Sequence, residues 1–152
     1  FTLQRRFFRE SASDSGKVER VELAEGEMLD VGDKVIAEYS IHNDENRSFV
    51  RLTVPREAAF RPVDQLSGYY GWRMAPLRVN DWYSFAPQGY RNVKADRTEY
   101  MFDSYPEENT VISEAFFVTQ AGEFTAPVPV IESLYAPHYR ANDAFRGFLS
   151  VK

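Results

Sequence analysis

Apolar and polar residues alternate with a period of two along much of this chain. In Lys34–His42, Val35, Ala37, Tyr39 and Ile41 take one side, while Lys34, Glu38, Ser40 and His42 take the other. In residues 47–54, Val50, Leu52 and Val54 alternate with Phe49, Arg51 and Thr53. Period two is that of a half-buried strand. The polar stretch Asn43-Asp44-Glu45-Asn46 between the two runs predicts a hairpin. Further strands are predicted over residues 2–8, 18–23, 98–103, 110–119, 128–135 and 147–151. Turn residues separate them: Ser13-Asp14-Ser15-Gly16, Val31-Gly32-Asp33, residues 106–109 and Ala121-Gly122-Glu123. Helical periodicity is nowhere sustained beyond about two turns. Residues 56–60, behind Pro55, are the best place for one short helical turn. The expected fold is all-β: an antiparallel β-sandwich with at most one short helix.

Residues 62–87 break the alternation, with Tyr69, Tyr70, Trp72, Trp82 and Tyr83 set among Gly68, Gly71, Pro76 and Pro87. They predict a long ordered connection whose aromatics fold back on the sandwich. A connection of that length is often functional, or conceals strands. Composition supports sheet. The chain's 152 residues suit a single domain, and 12 Phe, 9 Tyr and 2 Trp make 15% of it aromatic. No repeat marks a second domain, and a start at Phe1 reads as a processed product or a piece of something larger.

Charge narrows the classes. With 18 basic and 23 acidic residues the net charge is −5, and no basic cluster offers a surface for nucleic acid. No apolar run is long enough to span a bilayer, so membrane insertion by this chain is not expected. No signal peptide is recognised. Without Cys there is no thiolate site or disulfide, and His42 and His138 stand far apart, so neither a metal nor a cofactor is expected. Nucleophile-elbow, paired-histidine zinc, phosphate-loop and calcium-loop motifs are all missing.

Carboxylate pairs across a cleft remain a candidate chemistry, with Asp81, Asp96, Asp103 and Glu114 as the acids. The alternative is that these are surface or turn acids. Glu114 stands apart, because it shares its spacing with Ile112, Phe116 and Val118 and is expected to point inward. A buried carboxylate requires a partner such as Arg or Tyr. That makes Glu114 a candidate structural acid more than a catalytic one, and no catalytic residue is assigned. Trp72, Trp82, Tyr69 and Tyr70 suggest a second reading, a carbohydrate-binding platform, against the alternative that they fill or cap the core.

Several ordered stretches resemble the C-terminal macroglobulin-like domain of the bacterial alpha-2-macroglobulin family. They are Leu3-Gln4-Arg5-Arg6-Phe7-Phe8, Val31-Gly32-Asp33-Lys34-Val35 and Arg61-Pro62-Val63-Asp64-Gln65-Leu66-Ser67-Gly68-Tyr69. Asp96-Arg97-Thr98-Glu99-Tyr100-Met101-Phe102-Asp103 follows, then Val118-Thr119-Gln120-Ala121-Gly122-Glu123-Phe124 and Ile131-Glu132-Ser133-Leu134-Tyr135-Ala136-Pro137. The last two are similar to the family's closing "A-G-x-F" and "S-M-Y-A-P" segments, with Leu134 in the place of Met. Departures are Glu114, where the family often has Tyr, and Phe117, where it often has Arg.

The resemblance implies a non-catalytic domain of a large protease-trapping inhibitor in the bacterial periplasm or cell envelope. Its partners would be the parent's other domains, with proteases engaged only through the full-length protein. It implies docking on a neighbouring thioester-type domain, which this domain would shield from water. Leu134, Tyr135, Pro137 and Tyr69 are the expected interdomain residues.

Overall fold

The computed structural model describes residues 2–12, 15–24, 27–70, 77–79, 82–84, 89–105, 107, 109–125, 127–135, 140–142 and 148–151. Numbered in chain order, the strands of a first sheet run β2 (Val18–Glu22), β1 (Thr2–Ala12), β4 (Lys34–His42), β12 (Asn109–Val118) and β6 (Phe60–Pro62). A second sheet runs β15 (Arg140–Asn142), β14 (Val130–Ser133), β5 (Arg47–Pro55), β11 (Arg97–Tyr105), β10 (Gly89–Val93) and β7 (Gly68–Tyr70). Every pairing within these two sheets is antiparallel. A small third sheet places β16 (Phe148–Val151) between β13 (Gly122–Thr125) and β3 (Met28–Leu29). β8 (Leu77–Val79) pairs with β9 (Trp82–Ser84).

One apolar cluster joins the two larger sheets. Val35, Ala37, Tyr39 and Ile41 of β4 and Ile112, Phe116 and Val118 of β12 come from the first. Val50, Leu52 and Val54 of β5 and Tyr100 and Phe102 of β11 come from the second. This is the all-β sandwich that the alternation predicts. Phe60 stacks on Phe116 with ring centroids 5.3 Å apart, and Phe102 meets Tyr105 edge to face at 5.0 Å. Gly89 is needed where β10 crosses the core. A Cβ there would lie 2.7 Å from both the Met101 carbonyl oxygen and the Phe102 ring.

Residues 34–42 and 47–54 do not form the expected hairpin. β4 pairs with β1 and β12, whereas β5 pairs with β11 and β14 in the opposite sheet. Residues 43–46 carry the chain from one sheet to the other. Alternation shows that each strand buries one face, and two strands facing each other across a core alternate just as two neighbours in a hairpin do. Arg47 secures the crossing. Its guanidinium donates to Asn43 Oδ1 at 3.1 Å and Asp44 Oδ1 at 2.9 Å, and it pairs with Glu45 at 3.2 Å. Asn43 Nδ2 donates to the Tyr105 carbonyl at 3.4 Å.

Residues 57–60 form a turn closed by Phe60 N–H to Glu57 C=O at 3.0 Å rather than a helical turn. Every regular element among the described residues is a strand, and no helix is long and apolar enough to cross a membrane. Residues 62–87, expected to be a connection, contain β7, β8 and β9. Asp33 behaves as its turn predicts, accepting the Asp30 N–H through Oδ2 at 2.9 Å beside Gly32, whose φ is +96°.

Candidate functional site

Parity along β12 turns Glu114 inward with Ile112 and Phe116, and the residue is 5% exposed. β10 and β11 of the opposite sheet supply its partners. Arg91 Nη2 donates to Glu114 Oε1, and Thr98 Oγ1 donates to the same oxygen at 3.1 Å. Arg91 also donates to the Leu66 carbonyl at 3.2 Å and the Asp64 carbonyl at 3.0 Å. The Arg61–Tyr69 stretch is therefore anchored by a charge it does not itself carry, and its Ser67 Oγ takes the Val93 N–H at 3.0 Å. Arg56 donates to Thr98 Oγ1 at 3.0 Å and to the carbonyls of Lys94 and Ala95.

Two tyrosines complete this buried polar layer. Burial pushes the phenols of Tyr39 and Tyr100 well above their ordinary value, and the Glu114 charge adds to it. Burial works to lower the Arg91 guanidinium, but Glu114 and Tyr100 outweigh it and hold the group above its usual value. Within it the Arg91–Glu114 pair joins the two sheets across the core, and a pair so placed favours one packing of the layers. Glu114 Oε2 has no hydrogen-bond partner among the described residues. Elsewhere the residue is among those lining an open groove of about 630 Å³ between the first sheet and residues 63–68.

The other candidate acids are not gathered around Glu114. Asp96 is exposed and pairs with Arg97 at 3.0 Å, Asp103 is exposed on β11, and Asp81 lies outside the described residues. No group of three or more His, Cys, Asp or Glu among the described residues is placed to hold a metal ion. His42 lies exposed with Nδ1 2.5 Å from Asn109 Oδ1, and His138 lies outside the described residues.

A second candidate site lies where β14 ends. Leu134 is 36% exposed and Tyr135 is 79% exposed. Leu134 N–H donates to the Phe49 carbonyl at 2.8 Å, which carries the β14–β5 pairing one step past Ser133 and Val50. Phe49, 41% exposed, meets the Tyr135 ring edge to face with centroids 4.9 Å apart and planes at 84°. Together they make an apolar patch on the outside of the six-stranded sheet. Tyr69 shares that end of the sheet but not that edge. The row Glu132, Arg51, Met101, Tyr90, Tyr69 crosses the sheet from β14 to β7, about 19 Å at ordinary strand spacing. Pro137 and Trp72 lie outside the described residues, while Tyr70 and Trp82 are located only as positions on β7 and β9.

Phe49 and Arg91 escaped the sequence reading. Phe49 belongs to an ordinary alternating run, and nothing in its pattern signals a special backbone. Arg91 sits in a strand whose inward positions are Gly89 and Arg91, the reverse of what an apolar pattern detects.

Residues 1–138 match the family described as the bacterial alpha-2-macroglobulin MG10 domain. No curated protein matches the chain significantly. Among solved structures, alpha-2-macroglobulin from Salmonella reacted with methylamine is similar at a TM-score of 0.67 and 16% identity, over 99% of this chain and 9% of that one. Trypsin-activated alpha-2-macroglobulin from Escherichia coli is similar at a TM-score of 0.68 and 13% identity, over 99% of this chain and 10% of that one. The native Escherichia coli protein from domain MG7 to its C-terminus gives a TM-score of 0.66 and 14% identity, over 99% of this chain and 23% of that one. At such identities the likeness concerns the fold, and this chain spans at most 23% of those proteins' length.

Proposed function

The chain belongs to the bacterial alpha-2-macroglobulin MG10 domain family, and on that premise we propose that it is the C-terminal domain of a large bacterial protease inhibitor. Its role is docking: it packs on the neighbouring thioester-type domain and keeps water from it. The parent engages proteases as a whole and works in the periplasm or cell envelope, and this domain contributes a surface and no bond-making step.

The observation that carries this reading is the patch formed by Leu134 and Tyr135. A Leu and a Tyr standing exposed side by side at a strand end, with Phe49 extending the patch, suit a buried interface better than open solvent. Leu134→Asp tests the proposal, since it places a charge in the patch while leaving the core untouched. The substitution should weaken association of the chain with the remainder of the parent by roughly tenfold or more, with the chain's circular dichroism unchanged. Association as tight as wild type would overturn the reading.

A further inference from the structure

Phe49 has φ +55°, and among the described residues it is the one residue other than glycine with a positive φ. For a bulky side chain this left-handed conformation is a true outlier, retained only where its surroundings hold it. The strand ladder records the disturbance. β5 and β11 pair at Val50 with Phe102 and at Ser48 with Ser104, but the intervening Phe49 and Asp103 are not paired. On the other side, β14 grips the same residue through the Leu134 N–H bond to its carbonyl.

This strained backbone does not bury the ring. It leaves Phe49 partly exposed, edge to face with the most exposed aromatic of the patch, Tyr135. Met101 extends the same outward face diagonally from Phe49, across the row that pairs it with Arg51, and is 37% exposed. A domain acting alone would gain more by turning the ring into its core, or by placing Gly or Asn at this position. The strain makes sense if a partner covers the ring.

We infer that Phe49 is a positioning residue for Tyr135 within the docking surface, and that its left-handed backbone aims both rings at the adjoining domain of the same parent. The inference rests on the docking reading above. That occupant is favoured because the solved chains sharing this fold extend far beyond it, the matched part being 9–23% of their length. The partner face should be apolar, with one acceptor for the Tyr135 hydroxyl, since a covered phenol needs a hydrogen bond.

The test compares the full-length parent with this chain alone for wild type, Leu134→Asp, Phe49→Asn, Phe49→Gly and Phe49→Tyr. Deuterium uptake of the peptide spanning residues 130–135 is followed in each. In wild type the peptide exchanges more slowly in the parent than in the chain alone. Phe49→Asn and Phe49→Gly, which suit the left-handed backbone but lack the ring, should lose roughly tenfold of that added protection. Phe49→Tyr should retain it, and the melting temperature of the chain alone should not fall for Asn or Gly. If Leu134→Asp abolishes the added protection while Phe49→Asn and Phe49→Gly keep it, docking stands and the role of Phe49 is overturned. Melting at lower temperature for both Asn and Gly would also overturn it, making the ring a fold element. Protection that survives Leu134→Asp would bring down the docking reading itself.

Discussion

Arg91 and Glu114 meet inside the sandwich from opposite sheets, Arg91 on β10 and Glu114 on β12, with the side chains 10% and 3% exposed. A pair so placed acts as a tie between layers, and its strength lies in what happens when half of it is removed. Either partner alone would be a charge in the core with its solvation lost.

Arg91→Met should therefore lower stability by about 3–5 kcal/mol, and the double variant Arg91→Met/Glu114→Leu should recover much of that loss. Urea unfolding of the two variants beside wild type checks this. A double variant as unstable as the single one would mean that the Arg91 bonds to the Asp64 and Leu66 carbonyls outweigh its pairing with Glu114.

Alkaline pH reaches the same layer from another direction. Burial raises the Tyr39 and Tyr100 phenols above the ordinary value of 10.0. In the folded chain they keep their protons at a pH where the unfolded chain has released them. Their contribution to stability is then complete below pH 10.0 and declines as pH rises beyond it towards the folded-state value. Absorbance at about 295 nm should show at least two of the 9 tyrosines ionising only together with unfolding. Ionisation of all nine in a still folded chain would contradict it.

Eight of the sixteen strands among the described residues could be read from the sequence, and the inward parity of Val35, Ala37, Tyr39 and Ile41, of Val50, Leu52 and Val54, and of Ile112, Phe116 and Val118 is that of the buried faces of β4, β5 and β12. Parity also turned Glu114 inward. It says nothing of which strand lies beside which, so the chain between His42 and Arg47 read as a hairpin although it joins two sheets. β10 was hidden for a different reason: its interior positions are a glycine and an arginine, and its tyrosine points out. The short strands β7, β8 and β9 were masked by the glycines and prolines around them. The patch was legible only in part. Leu134 and Tyr135 stood out by their resemblance to a known segment, but a backbone angle such as that of Phe49 leaves no trace in a hydrophobic pattern.

Gly89 gives a sharper steric test. Its missing Cβ is what lets β10 pass the Met101 carbonyl and the Phe102 ring. Gly89→Ala should cost about 1–3 kcal/mol through forced displacement of β10 or the ring. Pairing it with Phe102→Leu, which clears space, should cost less than the sum of the two single changes. Additive losses would show that the clash with the backbone carbonyl decides.

The crossing between the sheets separates buried polar anchors from exposed ones. Asn43 is 1% exposed and links Arg47 to the Tyr105 carbonyl, whereas the Asp44 and Glu45 side chains that also face Arg47 are 68% and 61% exposed. The Arg47 guanidinium lowers the Asp44 carboxyl through a hydrogen bond, yet water screens that pair. Asn43→Ala leaves a buried guanidinium and a buried carbonyl each short of a partner and should cost about 1–3 kcal/mol. Asp44→Ala and Glu45→Ala should leave the urea midpoint essentially where it is. The double variant Asn43→Ala/Asp44→Ala would then track Asn43→Ala alone. A loss at Asp44 as large as that at Asn43 would mean that the crossing is held from its solvent side and not from the core.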